Sequence, residues 1–279
     1  MLRPGIFVEV DLSTAESRVC RMWTRAPRQI EIARMHPSQF DEHRYTASQL
    51  FGIPESEVDK DLPKGQKGQR FLAKTTNHGA QRQMSGQKLS DKFLVEHDLV
   101  IAPNKCQSML NKYLSENFEI RDIFFLEIRN EIMMKRELRN PFGARWRVPY
   151  GTLDDDIYRR AYSFPMQSTI AQIMNLWGFL PTYHYLKSMR SKINLQRHDA
   201  IIVSCHPHEA YDVACFILRS VERPVVYPGG NEMIVWGTIK IGRNDKEGYE
   251  WKALPTKAQF EEVMWNIIEK DDARLRLAA

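Results

Sequence analysis

The chain has 279 residues, 43% of them hydrophobic and 27% charged, with a formal net charge of +5. That length can bury a large core, and that balance excludes a mainly disordered chain. The small positive surplus suits a polyanionic partner without requiring one, and four cysteines without a CxxC pair exclude a disulfide scaffold.

Residues 6–10 predict a short apolar strand leading into Asp11, and residues 16–24 a helix. Beyond Pro27 and Pro37, residues 42–51 predict a helix closed by Gly52. Residues 55–68 are charged and end in Pro63-Lys64-Gly65-Gln66-Lys67-Gly68, a loop by composition. Residues 69–139 predict mostly helix, residues 141–144 a turn, and residues 157–186 a long helix with Pro165 as a kink or entry point. Ile173, Met174, Trp177 and Leu180 form a core stripe on it. Residues 193–196 and 201–204 predict a hairpin with Asp199 near its tip; a helix over 208–221 and a strand over 233–241 follow. Four strands with helices on one side give an α+β layout with a helical insertion. The end of the chain, residues 256–271, predicts an amphipathic helix capped by Thr256, with Phe260, Val263, Met264, Ile267 and Ile268 on one face. That face either docks a partner or packs on its own domain. No apolar run reaches membrane-spanning length and no signal-peptide core is present, so a cytoplasmic protein is expected.

Asp11 is followed by Leu12-Ser13-Thr14-Ala15-Glu16-Ser17-Arg18, and Asp199 stands in Arg197-His198-Asp199-Ala200. Two carboxylates from separate strands meet the requirement of two-metal phosphoryl transfer, in which ions about 3.5–4 Å apart stabilise the attacking and leaving oxygens. Arg70, Lys74 and His78 recur every four residues, so one helical face presents them together to a triphosphate. Singly, each has a commoner reading: Asp11 as a helix N-cap, Arg70 and Lys74 as a solvated face, His43 and His198 as ordinary surface or core histidines. Cys205-His206-Pro207-His208 lacks a second ligand pair at metal-binding spacing. The phosphoryl-transfer reading rests on the elements occurring together.

Read in order, these elements resemble the palm and fingers of family A (DNA polymerase I-like) DNA polymerases over residues 5–244. The family's Asp-Tyr-Ser-Gln-Ile-Glu-Leu-Arg is matched at Asp11, Ser13, Glu16 and Arg18. Its fingers motif, Arg-x3-Lys-x3-Phe/Tyr-Gly-x2-Tyr-Gly, is matched at Arg70, Lys74 and Gly79, with His78 in the aromatic position and Arg82 in place of tyrosine. Glu42-His43-Arg44 is similar to its Asp-Ile-His segment, and Phe142-Gly143-Ala144-Arg145 to a Gly-Arg-Arg turn. Arg159 through Thr169 is similar to its Arg-x7-Gln-Gly-Thr run. His-Asp-Glu appears as His198-Asp199-Ala200, without the second acid.

The resemblance implies a right-hand polymerase fold lacking the thumb: an antiparallel palm sheet with packed helices over residues 1–54 and 145–255, a helical fingers insertion over 55–144, and a tail over 256–279. It implies that Asp11, Asp199 and the carbonyl of Leu12 hold two Mg²⁺ ions, with Mn²⁺ as a substitute. Glu16, His43, Arg70, Lys74 and His78 would contact a deoxynucleoside triphosphate, Glu16 beneath the sugar. Ser13, Arg145, Arg159, Gln167 and His198 would contact primer–template DNA. Family members carry a thumb, and often an exonuclease, before the first motif, whereas Met1 stands ten residues before Asp11. The expectation is therefore a split, phage-type polymerase acting in a host cytoplasm, with a second polypeptide supplying thumb and possibly 3′–5′ exonuclease. The alternatives are a catalytically degenerate DNA-binding module and the palm and fingers of a single-subunit RNA polymerase, against which Glu16 argues.

Overall fold

Ile6, Val8, Val10 and Leu12 alternate with Phe7, Glu9 and Asp11, so one face of strand β1 (Ile6–Leu12) is fully buried and the other half-open. The computed structural model describes residues 5–60, 62, 63, 66–148, 150–243 and 248–277, and the side chains of all but 272 and 274–277. The expected loop at Lys64 and Gly65, the motif position Asn244, and the last two residues of the tail lie outside the described residues.

After β1 come helices α1 (Ala15–Trp23), α2 (Pro27–Arg34) and α3 (Glu42–Phe51). Asp41 caps α3 by accepting from the His43 and Arg44 amides, and Gly52 ends it in the left-handed region at φ 67°. A helical block follows: α4 (Gln69–Ala80), α5 (Gly86–His97), α6 (Pro103–Glu116) and α7 (Leu126–Lys135), the last entered through a π-helical stretch. Where the sequence suggests helix up to residue 139, the chain instead forms a hairpin of β2 (Glu137–Arg139) and β3 (Arg145–Arg147). Asn140 drives this, because its Oδ1 accepts from the Phe142 and Ala144 amides and closes the turn that holds Gly143 at φ 82°.

The long helix is present as α8 (Asp155–Gln172), a π-helical stretch and α9 (Leu180–Tyr185). Gly178 lies in that stretch, and a Cβ there would meet Ile201 Cδ1 at 2.7 Å, so the absence of a side chain lets the helix seat on the sheet. Of the expected core stripe, Ile173 and Met174 are buried and Trp177 packs at the edge, but Leu180 is 47% exposed because the π-helical stretch rotates it out of phase. The chain then forms β4 (Lys192–Arg197), β5 (Ala200–Cys205), α10 (Ala210–Val221), β6 (Pro224–Val226), β7 (Glu232–Ile234), β8 (Gly237–Gly242), β9 (Tyr249–Trp251) and α11 (Lys257–Leu277).

The main sheet has five antiparallel strands in the order β4-β5-β1-β8-β9, one more than the sequence suggests. The single strand expected over 233–241 is two. The Trp236 carbonyl accepts from the Ser13 amide and the Gly237 amide donates to Glu222, which turns the chain between β7, paired with β6, and β8, paired with β1. Helix α10 packs beneath β1 and β8. At the end of the chain, Thr256 and Gln259 cap α11 reciprocally, Gln259 Oε1 accepting from the Thr256 amide and Thr256 Oγ1 from the Gln259 amide. The apolar face of α11 turns onto its own domain: Phe260 stacks on Trp251 at 5.4 Å, and Met264 is buried. Among the described residues, no helix is long and apolar enough to cross a membrane.

A buried polar cluster binds the helical block to the sheet domain. Arg21 of α1 is fully buried and donates to Glu42 of α3 at 2.9 Å, to Asn117 at 3.0 Å and to Gln29 of α2. Glu42 also accepts from Ser17 and, at 3.1 Å, from Asn77 of α4, and Gln81 reaches Ser17 at 2.7 Å and Tyr113 at 2.9 Å. Burial alone would raise the Glu42 carboxyl, but the Arg21 charge outweighs it and holds the group well below the usual range. Removing one partner leaves the other charge buried and unpaired. Arg21→Met is expected to lower unfolding free energy by about 3–5 kcal/mol, read from the urea midpoint, and a midpoint equal to wild type would show that the pair does not bear stability.

Candidate active site

Asp11 pairs in register with Ala200, and the Leu12 amide donates to the Asp199 carbonyl at 2.9 Å. These pairings set Asp11 beside the two-residue turn that carries His198, at φ 47°, and Asp199. Burial, then repulsion from Asp199 and Glu9, pushes the Asp11 carboxyl up, while Lys74 pulls it down. Asp199 is likewise raised, first by burial, with repulsion from Glu16 also raising it; its own amide, His198 and Lys74 oppose the rise. Two half-buried acids, both raised first by burial, form a site short of positive charge, and hard carboxylate oxygens suit a divalent cation. Among the described residues, no group of three or more His, Cys, Asp or Glu is placed to hold a metal ion.

Facing the acids is helix α4. Lys74 is exposed and makes no direct ion pair among the described residues, yet it acts on both acids. Arg70, one turn earlier, is ion-paired to Asp41 at 2.9 Å, and Lys252 approaches the same carboxylate at 3.6 Å. One turn later His78 sits with its ring 6.1 Å from that of His43. His43 is buried, and among the described residues its Nδ1 has no hydrogen-bond partner. Burial lowers its pKa to about 4, with Glu42 opposing and His78, Arg70 and Lys74 contributing.

Glu16, in the first turn of α1, is ion-paired with Arg82, and His78 Nδ1 lies 3.8 Å from its carboxylate. Burial would raise this acid, but the nearby His78 imidazole and the charge of Arg82 hold it at about 2. Arg18, the last residue of the first motif, is buried and structural: it donates to the carbonyls of Ser13, Ala33 and Met35 and to Thr14 Oγ1. It thereby fixes the turn between β1 and α1 that carries Ser13.

Arg159 and Gln167 of α8 line a separate groove with Arg82, Lys88, Trp146 and Phe164, the two rings being stacked at 6.0 Å. Arg145 is exposed on β3 and is not part of that lining; His198 is exposed at the hairpin tip. The fold thus brings Asp11, Asp199, Glu16, Lys74, His78 and His43 to one place, sets Arg159 and Gln167 along an adjoining groove, and leaves Arg145 apart. Two residues of the site, Asp41 and Lys252, escape a reading of motifs alone. The Asp41 partnership with Arg70 carries no local signal. The pairing of Arg82 with Glu16 does, since 70, 74, 78 and 82 share one four-residue period. Lys252 arrives from the far end of the chain.

A family model described as DNA polymerase family A matches residues 3–239. The DNA polymerase of Bacillus phage SP01 is 24% identical over 257 residues, covering 88% of this chain and 26% of that protein. The thermostable DNA polymerase I of Thermus thermophilus is 27% identical over 194 residues, covering 67% of this chain and 21% of that protein. The chain therefore spans about a quarter of the length of these relatives. In fold it is similar to a solved structure described as the POL domain of Pol1 from M. smegmatis in complex with DNA primer-template and dNTP. The TM-score is 0.68 at 19% identity, over 88% of this chain and 40% of that one.

An imidazole whose folded pKa is depressed, from 6.5 to about 4 for His43, contributes stability that is fully present above 6.5 and is lost as pH falls through 4. The depressed acids Glu16 and Glu42 act lower, between 4.5 and about 2. Between pH 7 and pH 5, His43 is therefore expected to cost about 2 kcal/mol of stability. Calorimetric melts of His43→Gln should show a shallower fall over that interval than wild type; an equal fall would mean that His43 is not held neutral.

Proposed function

The chain belongs to DNA polymerase family A, and from that premise we propose that it carries the nucleotidyl-transfer centre of a template-directed DNA polymerase. The observation that carries this reading is the placement of Asp11, on β1, beside Asp199, in the turn between β4 and β5, opposite the cationic face of α4. A primer 3′-hydroxyl attacks the α-phosphate of a deoxynucleoside triphosphate, forming the new P–O bond as the bond to the β-phosphate breaks and pyrophosphate leaves. Mg²⁺, or Mn²⁺ in its place, would be held by Asp11, Asp199 and the Leu12 carbonyl, and such ions supply a stabilised attacking oxygen and charge neutralisation.

The remaining work falls to side chains of this chain. Lys74, exposed and without an ion pair among the described residues, offers its ammonium to the triphosphate, and Arg70, already oriented by Asp41, offers its guanidinium. His43, neutral and with an open Nδ1, adds a hydrogen-bonding group rather than a charge near neutral pH. His78 presents an imidazole face for the incoming base, smaller than the phenyl or phenol of the family motif. Glu16 stands under the sugar, where a fixed carboxylate disfavours a 2′-hydroxyl. Along the groove, Arg159 and Gln167 approach the primer–template and Trp146 and Phe164 give stacking surface. The Ser13 and His198 positions, on either side of the acids, suit contacts with the primer end.

The test is primer extension with Mg²⁺ and deoxynucleotides, using tagged full-length protein purified from its native cells. Asp199→Asn is expected to reduce the rate by about 100- to 1,000-fold or more, the scale of losing one preorganised charge-stabilising group. Lys74→Ala should act mainly through a raised KM for the nucleotide. Extension that persists in Asp199→Asn would place the chemistry elsewhere. Binding to primer–template without extension by wild type would favour a DNA-binding module, and efficient ribonucleotide incorporation would favour an RNA polymerase.

A further inference from the structure

Glu16 is held from the helical block by a single guanidinium that also grips the end of α4. Arg82 pairs with the Glu16 carboxylate and, through its other terminal nitrogen, donates to the His78 carbonyl at 3.0 Å. It lies just past α4, in the turn that leads through left-handed Gln83 (φ 50°) to α5. The neighbouring Gln81 donates to Ser17 at 2.7 Å, so consecutive residues 81 and 82 grip consecutive residues 17 and 16. Both members of the Arg82–Glu16 pair are less than a quarter exposed, which limits screening by salt. Arg82 also lines the groove that holds Arg159 and Gln167.

A carboxylate on a two-carbon stem excludes nothing while it can rotate away. To discriminate between substrates, its oxygens must keep their place within a fraction of an ångström. Among the described residues, Arg82 is the one permanently charged group ion-paired with Glu16, and its planar fork bonds Glu16 and the His78 carbonyl at once.

We propose that Arg82 is a positioning residue, whose ion pair fixes the Glu16 carboxylate against the sugar edge of the incoming nucleotide and so sets the preference for deoxy- over ribonucleotides. This rests on the nucleotide-site reading above. Arg82→Gln keeps a donor for the His78 carbonyl and loses the charge; Arg82→Lys keeps the charge and loses the fork. Charge reversal, Glu16→Arg with Arg82→Glu, restores an ion pair but moves the carboxylate to the wrong side.

The experiment is calorimetric titration of non-hydrolysable dATP and ATP analogues into the full chain bound to a dideoxy-terminated primer–template, beside melting temperatures of each variant. The ratio of ribo- to deoxynucleotide Kd is expected to fall about 10-fold in Arg82→Gln, the scale of one pocket contact, and less in Arg82→Lys. The charge-reversed variant should regain melting temperature but not the ratio. A ratio within twofold of wild type in Arg82→Gln, or one restored by charge reversal, overturns the proposal. Wild type that binds deoxynucleotide with a ratio near one overturns it while leaving the nucleotide site standing. Wild type that binds neither analogue overturns both.

Discussion

The arrangement depends on the buried ion pair between Arg21 and Glu42. Glu42 begins α3 and also accepts from Asn77 in the middle of α4, while Arg21 lies two turns along the helix that begins just after Asp11. One carboxylate therefore relates the strand that delivers an acid to the helix that delivers the cations. In a low-dielectric interior neither charge can leave without stranding the other, so the distance between β1 and α4 has little freedom. Gln29, Asn117 and Glu119 extend the cluster and satisfy donors that would otherwise be orphaned. The outer pair, Glu16 with Arg82, repeats the linkage one turn closer to the acids and nearer to solvent.

At the site itself the balance of charge is uneven. Asp199, in the turn before β5, repels Asp11 on β1, and Lys74 is a nearby side chain that relieves both. The other cations of α4 and its turn are already engaged, Arg70 by Asp41 and Arg82 by Glu16. Lys74 is thus the most available positive group facing the acids, and the acids are the groups with most to gain from an added cation. The fold stores this imbalance cheaply because β1 is fastened on both edges, by β5 and by β8.

Much of this was legible in the order of residues. The alternation through β1, the Gly52 stop, the hairpin around Asp199 and the Thr256 cap are local patterns, and each forms where its pattern lies. Illegible were features that depend on competition between distant groups. A stretch that reads as one strand over 233–241 divides because Ser13 and Glu222 claim its backbone at the middle. The apolar face of α11, which by sequence could have met a partner, packs instead on Trp251 and Tyr211.

The sequence alone determined the identities and spacing of the candidate groups: one acid on a strand, one in a hairpin turn, and cations every four residues along one helix, since helical and strand periods are properties of the backbone. It also carried the family likeness, which is a matter of order along the chain. Only the tertiary structure decided which of those cations are engaged and which remains available. Asp41, Glu16, Arg82 and Lys252 come from separate elements, and the choice of partner among them is made by packing, at distances that no local pattern encodes.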